Sequence, residues 1–530
     1  MKLEPSLLAF AASIVLLAVA SACGGTQTSG KPPALASSPS PVPNASPGGR
    51  VTFYGTDAGD SAGAIAAGDF NGDTVPDIVL AAARADGPAN TRPDAGEAYV
   101  FLGPFTPNEA RDPAAGQHDL VIYGAHAGDQ LGQALATGDF TGDGVDDIAL
   151  GAPLADGPDL KRPDSGQVYL LYGSTYLGSQ IREVDLAEDG HDATVFGADA
   201  EDLTGSALHA ADVNGDGPAD LIIGALRADG PDNDRPNAGE VYLVYGGSDR
   251  RRFDLALGQQ DASVYGVEAG DRLGKAVGAG DVNGDGRADL ILAASFASGP
   301  NNDRDRAGET YVVMGPPAPV VDAARREQEV TILGIDPGDQ IGHSIASGDV
   351  NGDGFADLLL GAVSADGPDN GADLAGEAYL VLGGERLPDI VDTAAAGVAA
   401  LIYGAAAKDR LGRSATTGDV NGDGLSDLLI SAPDVGTRDG SKVRAGAVYV
   451  FYGRPRGPYP GSTAQADITL EGLDAGDIFG HEAFGMPPLT TADINGDGLA
   501  DILAAAPTAD GPHNERLDAG EAYIIYMKEG

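Results

Sequence analysis

The chain has 530 residues, 42% of them hydrophobic, with 80 acidic against 32 basic side chains and a net charge of −48. That apolar content is enough for a folded core, while the charge excludes a nucleic-acid backbone as partner, since such binders need a basic footprint. Glycine is frequent, at 79 residues, but it lacks a Gly-X-Y period, which excludes collagen; it recurs at fixed places, as turn chemistry does.

The first predicted element is an export signal. Leu7 to Ala22 is an apolar run behind Lys2, short for a membrane span. It ends Val19-Ala20-Ser21-Ala22-Cys23-Gly24, and Cys23 is the only cysteine. A cysteine directly after a small-residue cleavage site resembles the lipobox of bacterial lipoproteins. The resemblance implies lipidation at Cys23 and a cell-surface or outer-membrane protein held through its lipid alone. Ala20-Ser21-Ala22 also fits ordinary signal removal, so a secreted chain is the alternative. Residues 1–22 are expected to be the signal peptide and 23–49 a disordered Gly/Ser/Pro tether. With no second cysteine, the exported fold carries no disulfide.

From residue 50 to 530 the chain repeats. The pattern Asp-x-Asn-Gly-Asp-Gly-x-x-Asp, or a close variant, begins at Asp69, Asp139, Asp212, Asp281, Asp349, Asp419 and Asp493. Successive starts lie 70, 73, 69, 68, 70 and 74 residues apart, and a fixed period means one supersecondary unit stacked on itself. The unit around Asp281 opens with a β-like run, Ala262 to Tyr265, closed by Gly266. A turn, Ala269 to Gly274, and a short small-residue run to Gly280 follow. After the Asp loop come the apolar run Leu290 to Ala294, a turn-rich loop from Ser298 to Arg306, and a last strand-like run from Ala307 to Gly315.

Four short antiparallel strands per unit and seven units predict an all-β fold. It is a seven-bladed β-propeller of four-stranded blades. Val51 to Gly55 matches the fourth strand of the unit and Glu521 to Tyr526 the third, so the N-terminal strand is expected to complete the last blade. Tyr99, Tyr169, Tyr242, Tyr311, Tyr379, Tyr449 and Tyr523 hold one place in the third strand and are expected to pack between blades.

The Asp loop is calcium chemistry, because it gathers hard oxygen donors on a tight turn. Carboxylates stand at positions one, five and nine. They are Asp69, Asp73 and Asp77; Asp139, Asp143 and Asp147; Asp212, Asp216 and Asp220; Asp281, Asp285 and Asp289; Asp349, Asp353 and Asp357; Asp419, Asp423 and Asp427; Asp493, Asp497 and Asp501. Position three gives a side-chain oxygen from Asn71, Thr141, Asn214, Asn283, Asn351, Asn421 or Asn495. Position seven gives the carbonyl of Val75, Val145, Pro218, Arg287, Phe355, Leu425 or Leu499. Up to seven Ca2+ are expected, one per blade. Thr74 replaces a turn glycine in the first copy and Thr141 is a weaker ligand in the second, so the sites at Asp281, Asp349, Asp419 and Asp493 are expected to be best formed. An EF-hand would need a glutamate at position twelve; that place holds Leu80, Leu150, Ile223, Leu292, Leu360, Ile430 or Ala504.

These residues resemble the FG-GAP repeats of the integrin α-subunit head. Tyr265-Gly266 or Phe196-Gly197 stands for the Phe-Gly part, and Gly151-Ala152-Pro153, Gly361-Ala362-Val363 or Ser431-Ala432-Pro433 for the Gly-Ala-Pro part. The resemblance implies calcium between strands one and two of a blade, and an adhesion or interaction module. The chain departs from that family in carrying no leg domain or membrane helix after Gly530 and no Asp-x-Ser-x-Ser site, so a lone propeller is expected.

The two-to-three loops carry a second repeat, Ala-Asp-Gly-Pro, at Asp86, Asp156, Asp229, Asp366 and Asp510, with Ser298 in place of the acid in one copy. Arg92, Arg162, Arg235, Arg304 and Arg516 follow. One reading is a turn signature. The functional reading is a ring of Asp and Arg at the channel mouth, on the face opposite the calcium loops and the three-to-four connections, contacting a protein or glycan ligand.

No catalytic set stands apart from the repeat. Gly342-His343-Ser344-Ile345-Ala346 is a nucleophile elbow without its last glycine, and Ser344 sits at a repeat position. Blade seven has six extra residues between Gly472 and Asp493, holding Phe484, Met486, Pro487 and Pro488. A glycan-acting enzyme or a lectin on the same propeller is the alternative function.

Overall fold

The computed structural model describes residues 46–528 apart from 189, 248–251, 300–301, 396 and 483–487. The export signal, Cys23 and most of the tether lie outside the described residues, as do Phe484, Met486 and Pro487.

Seven sheets, each with an antiparallel four-stranded body, form the seven blades, and the described residues are strands and short 3-10 turns with no α-helix. In the fourth blade the first strand is Ala276–Gly280, the second Asp289–Ala294, the third Glu309–Val313 and the fourth Val330–Leu333. Val277 pairs with Leu292, Leu292 with Tyr311 and Tyr311 with Thr331. The first strand faces the central channel. The second is buried along all its six residues, as its unbroken apolar run predicts.

The ring closes as expected. Ser46–Tyr54 lies antiparallel to Glu521–Lys528, with Val51 opposite Ile524 and Phe53 opposite Ala522. The strand starts earlier than composition suggests, however. Ser46 pairs with Lys528 across a bulge at Pro47 and Gly49, so 46–49 belongs to the sheet and not to the tether. Ladder hydrogen bonds are open to any backbone with a free edge beside it, whatever its side chains.

Five of the seven sheets carry a fifth strand, which corrects the four-stranded expectation. Glu183–Asp185, from the three-to-four connection of blade two, runs back to lie parallel to Leu120–Tyr123 of blade one. Arg252–Asp254, Val320–Asp322 and Ile390–Asp392 do the same for the next blades. Each covers an edge that would otherwise expose unpaired amides and carbonyls. The three-to-four connection therefore crosses the height of the blade and is not confined to the calcium-loop face.

The core sits between blades. Val51 and Phe53 of blade seven pack with Ile65, Leu80, Tyr99 and Phe101 of blade one. All seven third-strand tyrosines are buried. Five of them also donate to a glutamate two residues earlier, as Tyr379 does to Glu377 at 2.6 Å and Tyr311 to Glu309 at 2.6 Å. A buried phenol needs such a partner.

Candidate functional site

The Asp loops all lie at the turn from first to second strand, on one face of the ring. In the fourth blade, Asp281 Oδ1 accepts hydrogen bonds from the amides of Gly284 at 2.7 Å and Asp285 at 3.0 Å. Its Oδ2 accepts from Gly286 at 2.8 Å. The same position-one carboxylate holds the loop amides in the other six copies. Position six must then be left-handed. Glycine is at φ 88° in the fourth copy, and Thr74 is forced to φ 68° in the first, at a cost of about 1 kcal/mol.

Position nine is a buried anion. Asp289 Oδ2 accepts from the Val282 amide and Oδ1 from the Gly315 amide, both at 3.0 Å. Asp77, Asp147, Asp220, Asp289, Asp357, Asp427 and Asp501 are all fully buried. Burial pushes the Asp289 carboxyl up to about 6 and the Asp427 carboxyl up to about 7. The carboxylates at positions five and one add to the push, two backbone amides oppose it, and no cationic side chain is among the causes.

The Asn283 side-chain amide nitrogen lies 3.3 Å from Asp285 Oδ2 and 3.4 Å from Asp289 Oδ1. The positive end of its dipole occupies the space between two carboxylates, where a cation would be held. Asn214 repeats this at 3.1 and 3.4 Å. The donors are oxygens throughout, which suits a hard divalent ion. Among the described residues, no three His, Cys, Asp or Glu side chains close on one point by themselves. Position one is turned to the loop amides. Completing a shell there draws on Asn oxygen, the position-seven carbonyl and water.

The loops are also stitched to one another. The position-one carbonyl accepts from the position-eight amide of the next blade at six steps: Asp146 to Asp69, Ala219 to Asp139, Ala288 to Asp212, Ala356 to Asp281, Ser426 to Asp349 and Ala500 to Asp419, at 2.8–3.1 Å. The seventh step would need Pro76, which has no amide hydrogen.

On the opposite face, the predicted partner-binding side chains are engaged inside the fold. Arg235 Nη1 and Nη2 bond Asp322 Oδ1 and Oδ2 at 2.7 and 2.8 Å, and Nη1 also donates to the Gly266 carbonyl at 2.7 Å. Arg92, Arg162, Arg304 and Arg516 make the same bidentate pair with Asp185, Asp254, Asp392 and Asp112. Each partner ends the extra strand on the outer edge of the blade or lies next to it. The arginines therefore clamp the outer rim and do not ring the channel mouth. Asp86, Asp156, Asp229, Asp366 and Asp510 each accept the backbone amide eight residues on, fixing the loop. Asp322 is 2% exposed and Asp392 32%. Asp322→Ala is expected to cost about 3 kcal/mol, since it strands a largely buried guanidinium, and Asp392→Ala clearly less. Urea unfolding of the two variants measures the order, and equal losses would show that burial does not set the strength of the clamp.

The channel itself holds a cluster that spacing did not single out. First strands from every blade line a cavity of about 520 Å³. Glu482 of blade seven meets Lys275 Nζ at 3.0 Å, His343 Nε2 at 2.9 Å and Arg413, whose Nη2 donates to the Glu482 carbonyl at 2.9 Å. Burial alone would raise the Glu482 carboxyl, but Lys275, His343 and Arg413 hold it well below the usual range. The signal was a single slot, the residue after the glycine that precedes the first strand. It reads Gln133 and Ser206 in blades two and three, then Lys275, His343, Arg413 and His481.

Comparison with known proteins agrees with this architecture. The FG-GAP repeat family matches residues 61–101, 131–171, 204–244, 273–313, 341–381, 411–451 and 489–525, one segment per blade. Integrin alpha-PS2 of Drosophila melanogaster is 34% identical over 184 residues, covering 34% of this chain and 12% of that protein. Phosphatidylinositol-glycan-specific phospholipase D of Homo sapiens is 28% identical over 435 residues, 76% of this chain and 46% of that protein. The chain spans less than half the length of either relative. An exotype rhamnogalacturonan lyase, YesX, superposes over 91% of this chain and 76% of its own, at a TM-score of 0.43 and 12% identity.

Proposed function

This chain belongs to the FG-GAP repeat family, and on that premise we propose that it is an exported, calcium-stabilised propeller that serves as an adhesion or interaction module for a protein or glycan. The observation that carries the calcium reading is position nine: seven fully buried carboxylates, each facing further carboxylates, with no cationic side chain to balance them. A divalent ion supplies that balance, and it would be held by positions one, three, five, seven and nine. Rigid loops on a closed ring are suited to presenting a binding surface, and the clamped two-to-three loops supply one. The apolar run before Cys23 supports export, and Cys23 itself supports a lipid anchor at a bacterial surface.

An enzyme or lectin on the same scaffold is the second reading, favoured by the phospholipase D relative that aligns over most of this chain. Exposure of the immobilised chain to a glycan array and to surface-protein extracts, with calcium and then with chelator, separates the two. Retention of a ligand in calcium and its release by chelator is the expected result. Conversion of a glycan without retention would replace the interaction reading by the enzymatic one.

A further inference from the structure

The channel has an asymmetry that neither the calcium loops nor the outer clamps use. Lys275 precedes its first strand and Asp281 follows it, so the slot residues stand at the opposite end of the channel from the metal loops. In a chain of net charge −48, blades four, five and six bring Lys275, His343 and Arg413 to this one place. The channel wall beyond them carries aliphatic side chains such as Leu135 and Ile345, with serines and threonines among them. Its hydroxyls donate to neighbouring blades, as Ser344 does to the Gly412 carbonyl at 2.9 Å and Thr417 to the Ser347 carbonyl at 2.6 Å.

Glu482 shows what the cluster recognises. Its carboxylate takes the Lys275 ammonium at 3.0 Å on one oxygen and the His343 ring at 2.9 Å on the other. The charges do not balance, since two cationic side chains, Lys275 and Arg413, face one carboxylate. Donors are left over as well. Lys275 has three hydrogens and gives one to Glu482. Arg413 Nε lies 3.5 Å from Glu482 Oε2 and, among the described residues, has no hydrogen-bond partner. His343 is 9% exposed, and its Nδ1 also has no partner among the described residues. Two partly buried cations that share one carboxylate beside a cavity favour a further anion.

We propose that this mouth of the channel is a receptor for a small monocarboxylate, which enters beside Glu482 and is held by Lys275 and Arg413. One further negative charge brings the cluster to neutrality, and a cavity of about 520 Å³ falls in the range that small-molecule sites occupy. Glu482 is a positioning residue that holds the ammonium and guanidinium, and His343 holds the Glu482 carboxylate in turn. The site makes no use of the metal loops, so it stands or falls separately from the calcium reading.

The test is calorimetric titration of the full chain in excess calcium with D-glucuronate, and with D-glucose as the same ring lacking the carboxylate. Glucuronate is expected to bind with one site per chain and glucose not at all. Lys275→Met and Arg413→Met are each expected to weaken glucuronate at least about tenfold, the worth of one charge-assisted hydrogen bond. Glu482→Gln keeps the shape and removes the competing charge, so it is expected to bind glucuronate more tightly. A cluster that only staples blades together predicts the reverse, a lower melting temperature in Glu482→Gln with no gain in binding. Failure of the unaltered protein to bind glucuronate, equal binding of the two sugars, or undiminished binding in Lys275→Met would each overturn the proposal.

Discussion

Chelation of divalent cations is expected to lower the thermal unfolding midpoint far more than any single surface substitution does. An ion that binds only the folded chain at one hundred times its dissociation constant contributes about 2.7 kcal/mol per site. Four intact loops acting independently would contribute on the order of 10 kcal/mol, comparable to the whole stability of an ordinary domain. Calorimetry with and without chelator, alongside a calcium titration that counts sites, measures it. Asp427→Asn sharpens the test because its cost should depend on the metal. In calcium it removes a ligand and destabilises. In chelator the loss should be smaller, because removing a buried charge that two neighbouring carboxylates repel offsets the one backbone amide, Val420 or Gly453, that loses its acceptor. The chelated protein should also gain stability as pH falls. The position-nine carboxyls titrate near 6 to 7 in the folded state against about 4 when unfolded, so the folded state binds more protons over that window. Melting that ignores both chelator and pH would remove the metal from the account.

The parts legible in the sequence are those that the repeat writes in every copy. Seven Asp loops in phase fixed the number of blades, and the fourth-strand character of Val51 to Gly55 fixed where the ring closes. The missing parts lie in contacts between distant copies. Glu183–Asp185 is three residues long and has no periodicity to read as a strand. Arg235 and Asp322 are 87 residues apart, and Arg92 and Asp185 are 93 apart. A single unit viewed alone leaves both charges exposed, and they look available to a ligand. Their recurrence was visible all the same, because Val184-Asp185-Leu186, Phe253-Asp254-Leu255 and Val321-Asp322-Ala323 repeat in step with the arginines. Glu482 was harder to see, because it acts across the channel on three other blades and has no copy of itself to give it away.

Removal of the residues before Gly55 is expected to abolish the stable monomer. Blade seven would lose its fourth strand, and Glu521–Lys528 would become an open edge of eight residues, a template for pairing with another chain. The closing step has less to fall back on than the others. The loop-to-loop hydrogen bond made at six steps is lacking where Pro76 stands, and Arg516 bonds the Gly55 carbonyl at 2.9 Å as well as Asp112. Deleting the strand takes away part of that clamp too. Phe53→Ala is the graded version. Phe53 is fully buried, with its ring centroid 4.8 Å from that of Phe101 in blade one and 5.5 Å from that of Phe105. Its truncation should cost about 3–5 kcal/mol, against roughly 1–2 kcal/mol for Val264→Ala at the matching place in an internal blade, a smaller side chain whose blade keeps its neighbours on both sides. Light scattering on the truncated chain and urea unfolding of the two variants measure both effects. A truncated chain that stays monomeric and unfolds at the same urea concentration would mean that six blades and three strands hold the ring without the seventh seal. The reason to expect otherwise is that a ring stitched blade to blade is only as strong as its closure, and the closure is where one stitch is already lacking.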